Sequence, residues 1–94
     1  MKSIKQFLKW MTIYNTWLWF HTIAGGIGAR LFLLSDRVTP MIAVGLVAVC
    51  AIGWEYFEYK SSNVEVIYGS KERFIADAIG DILGAVLVAI LVVV

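Results

Sequence analysis

The chain has 94 residues, of which 61% are hydrophobic and only 16% are charged, and its mean hydropathy is +0.82. A soluble domain of this length could not bury so much apolar surface, so the composition favours a protein that uses lipid as its solvent. The net charge of +1 and the scattered basic residues exclude the dense basic patch that is typical of a nucleic-acid partner.

Residues 1–18 predict an amphipathic helix that lies at a membrane surface. Polar side chains recur at helical spacing and form one stripe, namely Lys2, Lys5, Lys9, Thr12 and Thr16. A cleavable signal peptide is the competing interpretation, because a basic start precedes apolar residues. Polar residues at 14–16 and at His21 interrupt the apolar region, which favours a segment that stays attached.

Three apolar stretches follow and predict transmembrane helices at about 12–34, 41–59 and 74–94. The first span borrows a turn or more from the amphipathic start, because its apolar core at 19–34 is too short to cross alone. A polar link at 60–73 joins the second and third spans, and its residues 63–68 have some strand character. The predicted fold is one all-α membrane domain over 1–94, a bundle of three transmembrane helices with an N-terminal amphipathic interfacial helix.

Three glycines in these spans predict helix–helix contacts, because small residues let two backbones approach closely in a membrane. They are Gly25 and Gly28 in the first span and Gly84 in the third. Faces of this kind would also suit a homo-oligomer or partner membrane helices.

Carboxylates flank the polar link and predict a polar site. Glu55 and Glu58 lie near the end of the second span, and Asp77 and Asp81 lie one turn apart near the start of the third. Because the short link makes these spans antiparallel neighbours, their carboxylates are expected at similar depth, with His21 facing them from the first span. Charged groups inside apolar spans are costly and are usually functional.

Several physical interpretations of these carboxylates remain open. They could form a polar lock satisfied by His21, Arg73, tyrosines or backbone, a proton or cation relay, or a divalent cation site that grips a lipid phosphate. For Glu58 a place in the wet headgroup zone is favoured. Paired-cysteine and HExxH motifs are absent from the sequence, so no metal ligands or catalytic residues are assigned. A divalent cation is the one cofactor that remains compatible with the carboxylates.

The same positions resemble the VanZ-like family of small bacterial integral membrane proteins. The resemblance is carried by the pair Trp54-Glu55, a basic residue at Arg73, the run Asp77, Asp81, Gly84 and Ala85, and His21 with Gly25. Asp81 stands where the family usually has Asn, and the chain is shorter than typical members. The resemblance implies a multi-helix protein of the bacterial inner membrane, linked to the cell envelope or glycopeptide tolerance. It raises Glu55, Asp77 and Asp81 above other polar residues and supplies no reaction.

The leading functional hypothesis is a VanZ-like membrane protein whose intramembrane acidic cluster handles an envelope lipid headgroup or a cation, with membrane lipids as partners. The sequence leaves enzymatic activity open and favours a non-enzymatic role. The alternative is a small structural or accessory subunit of a larger membrane assembly or of a membrane-containing virus. A hole-forming lysis protein is less favoured, because such a protein is expected to carry a charged cytoplasmic tail and the sequence shows none.

The distribution of basic residues predicts the orientation of the chain. Six of them lie before the first span or in the polar link, and only Arg37 lies between the first and second spans. The positive-inside rule therefore places the N-terminus in the cytoplasm and the C-terminus outside. Reporter fusions after Lys60 and after Val94 should be active in opposite compartments, and activity of both on one side would contradict this orientation.

Overall fold

The computed structural model describes residues 2–94, with side chains from Ile4 onward. This part of the chain forms five α-helices, which are α1 (Lys2–Met11), α2 (Leu18–Phe32), α3 (Pro40–Ser61), α4 (Val64–Tyr68) and α5 (Lys71–Val93). The predicted all-α fold is confirmed for these residues.

The amphipathic start and the first predicted span are two separate helices. Helix α1 ends at Met11, residues 12–17 form a turn, and α2 begins only at Leu18. The turn is closed by a backbone hydrogen bond of 2.9 Å from the Tyr14 amide to the Lys9 carbonyl. With 15 residues, α2 is about 22 Å long, which is shorter than the predicted span at 12–34 and shorter than a hydrocarbon core.

Helices α3 and α5 match the second and third predicted spans and begin at defined caps. The Thr39 hydroxyl accepts a hydrogen bond from the Ile42 amide ahead of α3, and the Ser70 hydroxyl accepts one from the Arg73 amide ahead of α5. Both helices are long and apolar enough to cross a membrane. Only 17% and 33% of their most apolar windows are buried, whereas the core helix of a soluble protein would be mostly buried.

Within the polar link, residues 64–68 form the short helix α4 and not a strand. The Asn63 side chain accepts a hydrogen bond from the Val66 amide, and Gly69 ends the helix with a left-handed φ of 91°. A lone strand would leave its backbone groups without partners, whereas a helical turn satisfies them locally.

Helix α5 lies at the centre of the bundle, where it contacts each of the other four helices and α2 most extensively. The core is built from small side chains, with Ala29, Val47, Ala85 and Ala89 buried together between α2, α3 and α5. A second cluster of Val64, Phe74 and Ala78 holds α4 against α5. Small residues therefore set the distance between the helices, because few large side chains separate them.

Two glycines permit the closest approaches to other parts of the chain. A Cβ atom on Gly25 would overlap the Ala85 backbone, and one on Gly80 would overlap the carbonyl oxygen of Met11. Gly84 meets the side chains of Leu18 and Thr22, so the predicted contacts of Gly25 and Gly84 both lie between α2 and α5. Gly28 faces Val47 of α3 at an ordinary 3.8 Å.

Replacement of Gly25 by Ala should destabilise the fold by about 1–3 kcal/mol, because the backbone of α5 cannot retreat without separating the helices. Gly53→Ala is the matched control, since Gly53 is also inside a helix and a Cβ there has open space around it. Equilibrium unfolding in detergent micelles measures both changes. Equal stability of the two variants would contradict the close α2–α5 contact.

Candidate functional site

Three polar side chains from three helices converge inside the bundle. One ligand atom each of His21 on α2, Glu55 on α3 and Asp81 on α5 lies within 4.8 Å of the others. Asp81 is 5% exposed and Glu55 is 8% exposed, so both carboxyl groups are withdrawn from solvent. We refer to His21, Glu55 and Asp81 as the polar cluster.

Asp81 is the centre of the polar cluster. Its Oδ1 accepts a hydrogen bond of 2.8 Å from Asn15 Nδ2, and its Oδ2 lies 3.2 Å from His21 Nε2. A carboxylate oxygen of Glu55 lies within 4.8 Å of the same carboxylate. Two carboxyl groups this close repel each other when both are ionised, so a shared proton, a cation or a charged His21 imidazole would stabilise the pair.

Asn15 is a member of this arrangement that the sequence pattern did not single out. It lies in the turn between α1 and α2 and is 6% exposed, and the second hydrogen of its Nδ2 faces the Asp77 and Met11 carbonyl oxygens, both at 3.2 Å. Its Oδ1 is buried and has no hydrogen-bond partner among the described residues. The only signal in the sequence was a polar residue interrupting an apolar stretch, and that signal is shared by Tyr14 and Thr16.

The structure separates Asp77 and Arg73 from the polar cluster, although sequence reasoning grouped them with it. Both line a cavity of about 310 Å³ on the other side of the α1–α2 turn, together with Tyr14, Trp17 and Tyr68. The Arg73 guanidinium also lies 5.9 Å from the ring centroid of Trp10 in α1. We refer to this space as the Arg73–Asp77 cavity.

Glu58 has a defined partner outside the polar cluster. The Tyr68 hydroxyl donates a short hydrogen bond to Glu58 Oε1, which ties α4 to the end of α3. Burial raises the pKa of Tyr68, and the hydrogen bond to Glu58 raises it further, so the phenol stays a donor throughout the physiological range. Glu58 was predicted to lie in a wet headgroup zone, and the structure gives it this second role.

The polar cluster offers one imidazole nitrogen and two carboxylate groups as ligand atoms for a metal ion. Imidazole nitrogen suits zinc and similar transition metals, and carboxylate oxygen suits manganese, magnesium and calcium. One nitrogen and two carboxyl groups on three helices can therefore hold a divalent ion or a shared proton. The arrangement lacks a serine or cysteine nucleophile within the cluster itself.

No protein-family model, curated protein or solved structure matches this chain. The VanZ-like resemblance therefore stays a prediction that rests on the residues quoted for it.

Substitution of Asn15 by Ala should lower the free energy of unfolding by about 1 kcal/mol, because the buried Asp81 Oδ1 loses its donor. Thr16→Ala is the control in the same turn, since Thr16 is exposed, and its effect should stay within about 0.5 kcal/mol. Denaturant titration in micelles provides the measurement. An Asn15 variant as stable as the Thr16 variant would show that the turn is not held by Asp81.

Proposed function

We propose that this chain is a VanZ-like integral membrane protein with three spans, whose polar cluster binds a divalent cation within the bilayer. The observation that carries the proposal is the convergence of His21, Glu55 and Asp81 from three helices, with one ligand atom each within 4.8 Å. Helices distant in sequence rarely bring such groups together in an apolar environment without a partner for their charge.

The membrane placement is supported by the outer surface of the bundle. Large apolar side chains remain exposed along α3 and α5, among them Val49, Ile52, Leu83, Leu87 and Leu91. In this proposal α2 forms the remaining span together with the turn that precedes it, and α1 lies along the surface with its lysines toward headgroups. Exposed Trp17, Trp19 and Tyr59 near the polar end of the bundle suit the interfacial aromatic belt.

The depth of the polar cluster follows from helix geometry. Asp81 lies ten residues beyond the start of α5 at Lys71, or about 15 Å along the axis, and Glu55 lies six residues before the end of α3 at Ser61, or about 9 Å. Both positions fall inside the hydrocarbon if the polar link lies at the interface. Two carboxylates there need positive charge close by, and a bound cation supplies it.

The donor set narrows the choice of cation. A site with one imidazole nitrogen and two carboxylates is best matched by Zn²⁺ or Mn²⁺, whereas Mg²⁺ and Ca²⁺ prefer oxygen ligands alone. The Asn15 Nδ2 atom donates a hydrogen bond of 2.8 Å to Asp81 Oδ1, and such an outer contact fixes the orientation of a ligating carboxylate. Neutral amide and imidazole groups thus complete the surroundings of the two carboxylates.

Zn²⁺ or Mn²⁺ should raise the thermal stability of the purified full chain in micelles, by about 2.7 kcal/mol at a free cation concentration 100 times Kd. Glu55→Gln and Asp81→Asn should each abolish the effect while keeping side-chain shape. Glu65→Gln is the matched control, because Glu65 is exposed and only pairs with Lys71 at 3.7 Å. Metal content after dialysis provides the second readout.

Two outcomes would contradict cation binding. In the first, no divalent ion changes the stability or remains bound after dialysis. In the second, Glu55→Gln is at least as stable as the original chain and responds to cations in the same way. That second result would mean that the cations act away from the polar cluster and that Glu55 is not one of their ligands.

A further inference from the structure

We propose that the Arg73–Asp77 cavity binds the headgroup of a phospholipid that carries both a phosphate and a primary ammonium group. This inference rests on the membrane placement in the proposed function and not on cation binding at the polar cluster. The cavity and the polar cluster are neighbours, but they are lined by different side chains.

The α1–α2 turn lies between the Arg73–Asp77 cavity and the polar cluster. Tyr14, Thr16 and Trp17 line the cavity, whereas Asn15 between them is buried and donates to Asp81. Tyr68 of α4 closes the cavity from the side of the polar link. The volume of about 310 Å³ is therefore framed by hydroxyl and aromatic groups, which can contact both ends of a small zwitterion.

Two opposite charges line the cavity without a direct ion pair between them, although the Arg73 guanidinium also lies over the Trp10 ring. Arg73 and Asp77 lie one turn apart on α5, and among the described residues they form no ion pair within 4.0 Å. Neither the guanidinium nor the carboxylate makes a side-chain hydrogen bond to another described residue. A guanidinium matches a phosphate through paired N–H donors, and a carboxylate accepts hydrogen bonds from an ammonium group.

The position of the cavity favours a lipid over a soluble zwitterion. The cavity lies where the α1–α2 turn, α4 and the start of α5 meet, at the end of the bundle that carries the polar link. Trp17 and Tyr14 in its wall are more than half exposed, as expected at a membrane interface. A lipid headgroup is held at this level by its own acyl chains, which raises its effective concentration there.

The two charges also predict which lipids are rejected. A headgroup with only negative charge, such as phosphatidylglycerol, would satisfy Arg73 but would place its phosphate near the Asp77 carboxylate. Phosphatidylcholine has no N–H to donate, so the Asp77 carboxylate would lose the hydrogen bonds that it makes to water and gain none. Phosphatidylethanolamine satisfies both side chains.

The test uses the delipidated full chain in micelles with equimolar phosphatidylethanolamine, phosphatidylcholine and phosphatidylglycerol, and native mass spectrometry counts the bound lipid. Phosphatidylethanolamine should be retained about tenfold over the other two, equivalent to about 1.4 kcal/mol. Arg73→Gln and the nearly isosteric Asp77→Asn should each remove this preference. Lys71→Gln and Glu72→Gln, which change exposed charges in the same turns, should keep it.

Glu55→Gln separates this proposal from the previous one, because it removes a ligand of the polar cluster and touches no wall of the cavity. It should lose the cation response and keep the lipid preference. The proposal is overturned by equal retention of the three lipids, by a preference for phosphatidylglycerol, or by equal losses in the Lys71 and Arg73 variants. Displacement of the lipid by free phosphoethanolamine at equal concentration would overturn it too, because the ligand would then be a soluble one.

Arg73→Lys keeps the positive charge and should retain part of the preference for phosphatidylethanolamine. This variant shows that the loss in Arg73→Gln comes from the missing charge and not from misfolding.

Discussion

The Asp81 carboxylate is the group whose burial the rest of the structure has to accommodate. It is 5% exposed, and its partners come from three separate parts of the chain, with Asn15 in the α1–α2 turn, His21 in α2 and Glu55 in α3. A carboxylate withdrawn from water needs hydrogen bonds or opposite charge nearby, and α5 alone offers neither at this position. The packing of the turn and of two helices around α5 can be understood as the way in which this requirement is met.

That packing depends on the absence of side chains at a few positions. Gly25 lets α2 approach the backbone of α5 at Ala85, and Gly80 lets the end of α1 approach α5 one residue before Asp81. A larger side chain at either place would push Asn15 or His21 away from the carboxylate. In an apolar solvent, where burial of hydrocarbon between helices gives little driving force, close van der Waals contact and such hydrogen bonds hold helices together.

The α1–α2 turn also explains why two acidic residues one helical turn apart belong to different surroundings. Asn15 donates to the Asp81 side chain and to the Asp77 backbone carbonyl, so it lies across α5 between them. Asp81 is thereby enclosed with His21 and Glu55, while Asp77 is left on the side that faces Arg73 and Tyr68. The α1–α2 turn therefore leaves one buried carboxyl pair and, beside it, a separate cavity lined by opposite charges.

The sequence alone determined the all-α fold, the positions of α3 and α5, and the placing of Asp77, Asp81 and Gly84 on one side of a helix, because these follow from composition and a local period of 3.6 residues. Tertiary structure decided where α1 ends and where α2 begins, because the turn at 12–17 is held against α5 at Gly80 and Asp81, and these contacts cannot be read from the local sequence. The tertiary structure also placed Asn15, and not Tyr14 or Thr16, against Asp81. It placed Asp81 in the polar cluster and Asp77 outside it. These are contacts between residues up to 66 positions apart, and periodicity within one helix carries no information about which distant side chain will face it.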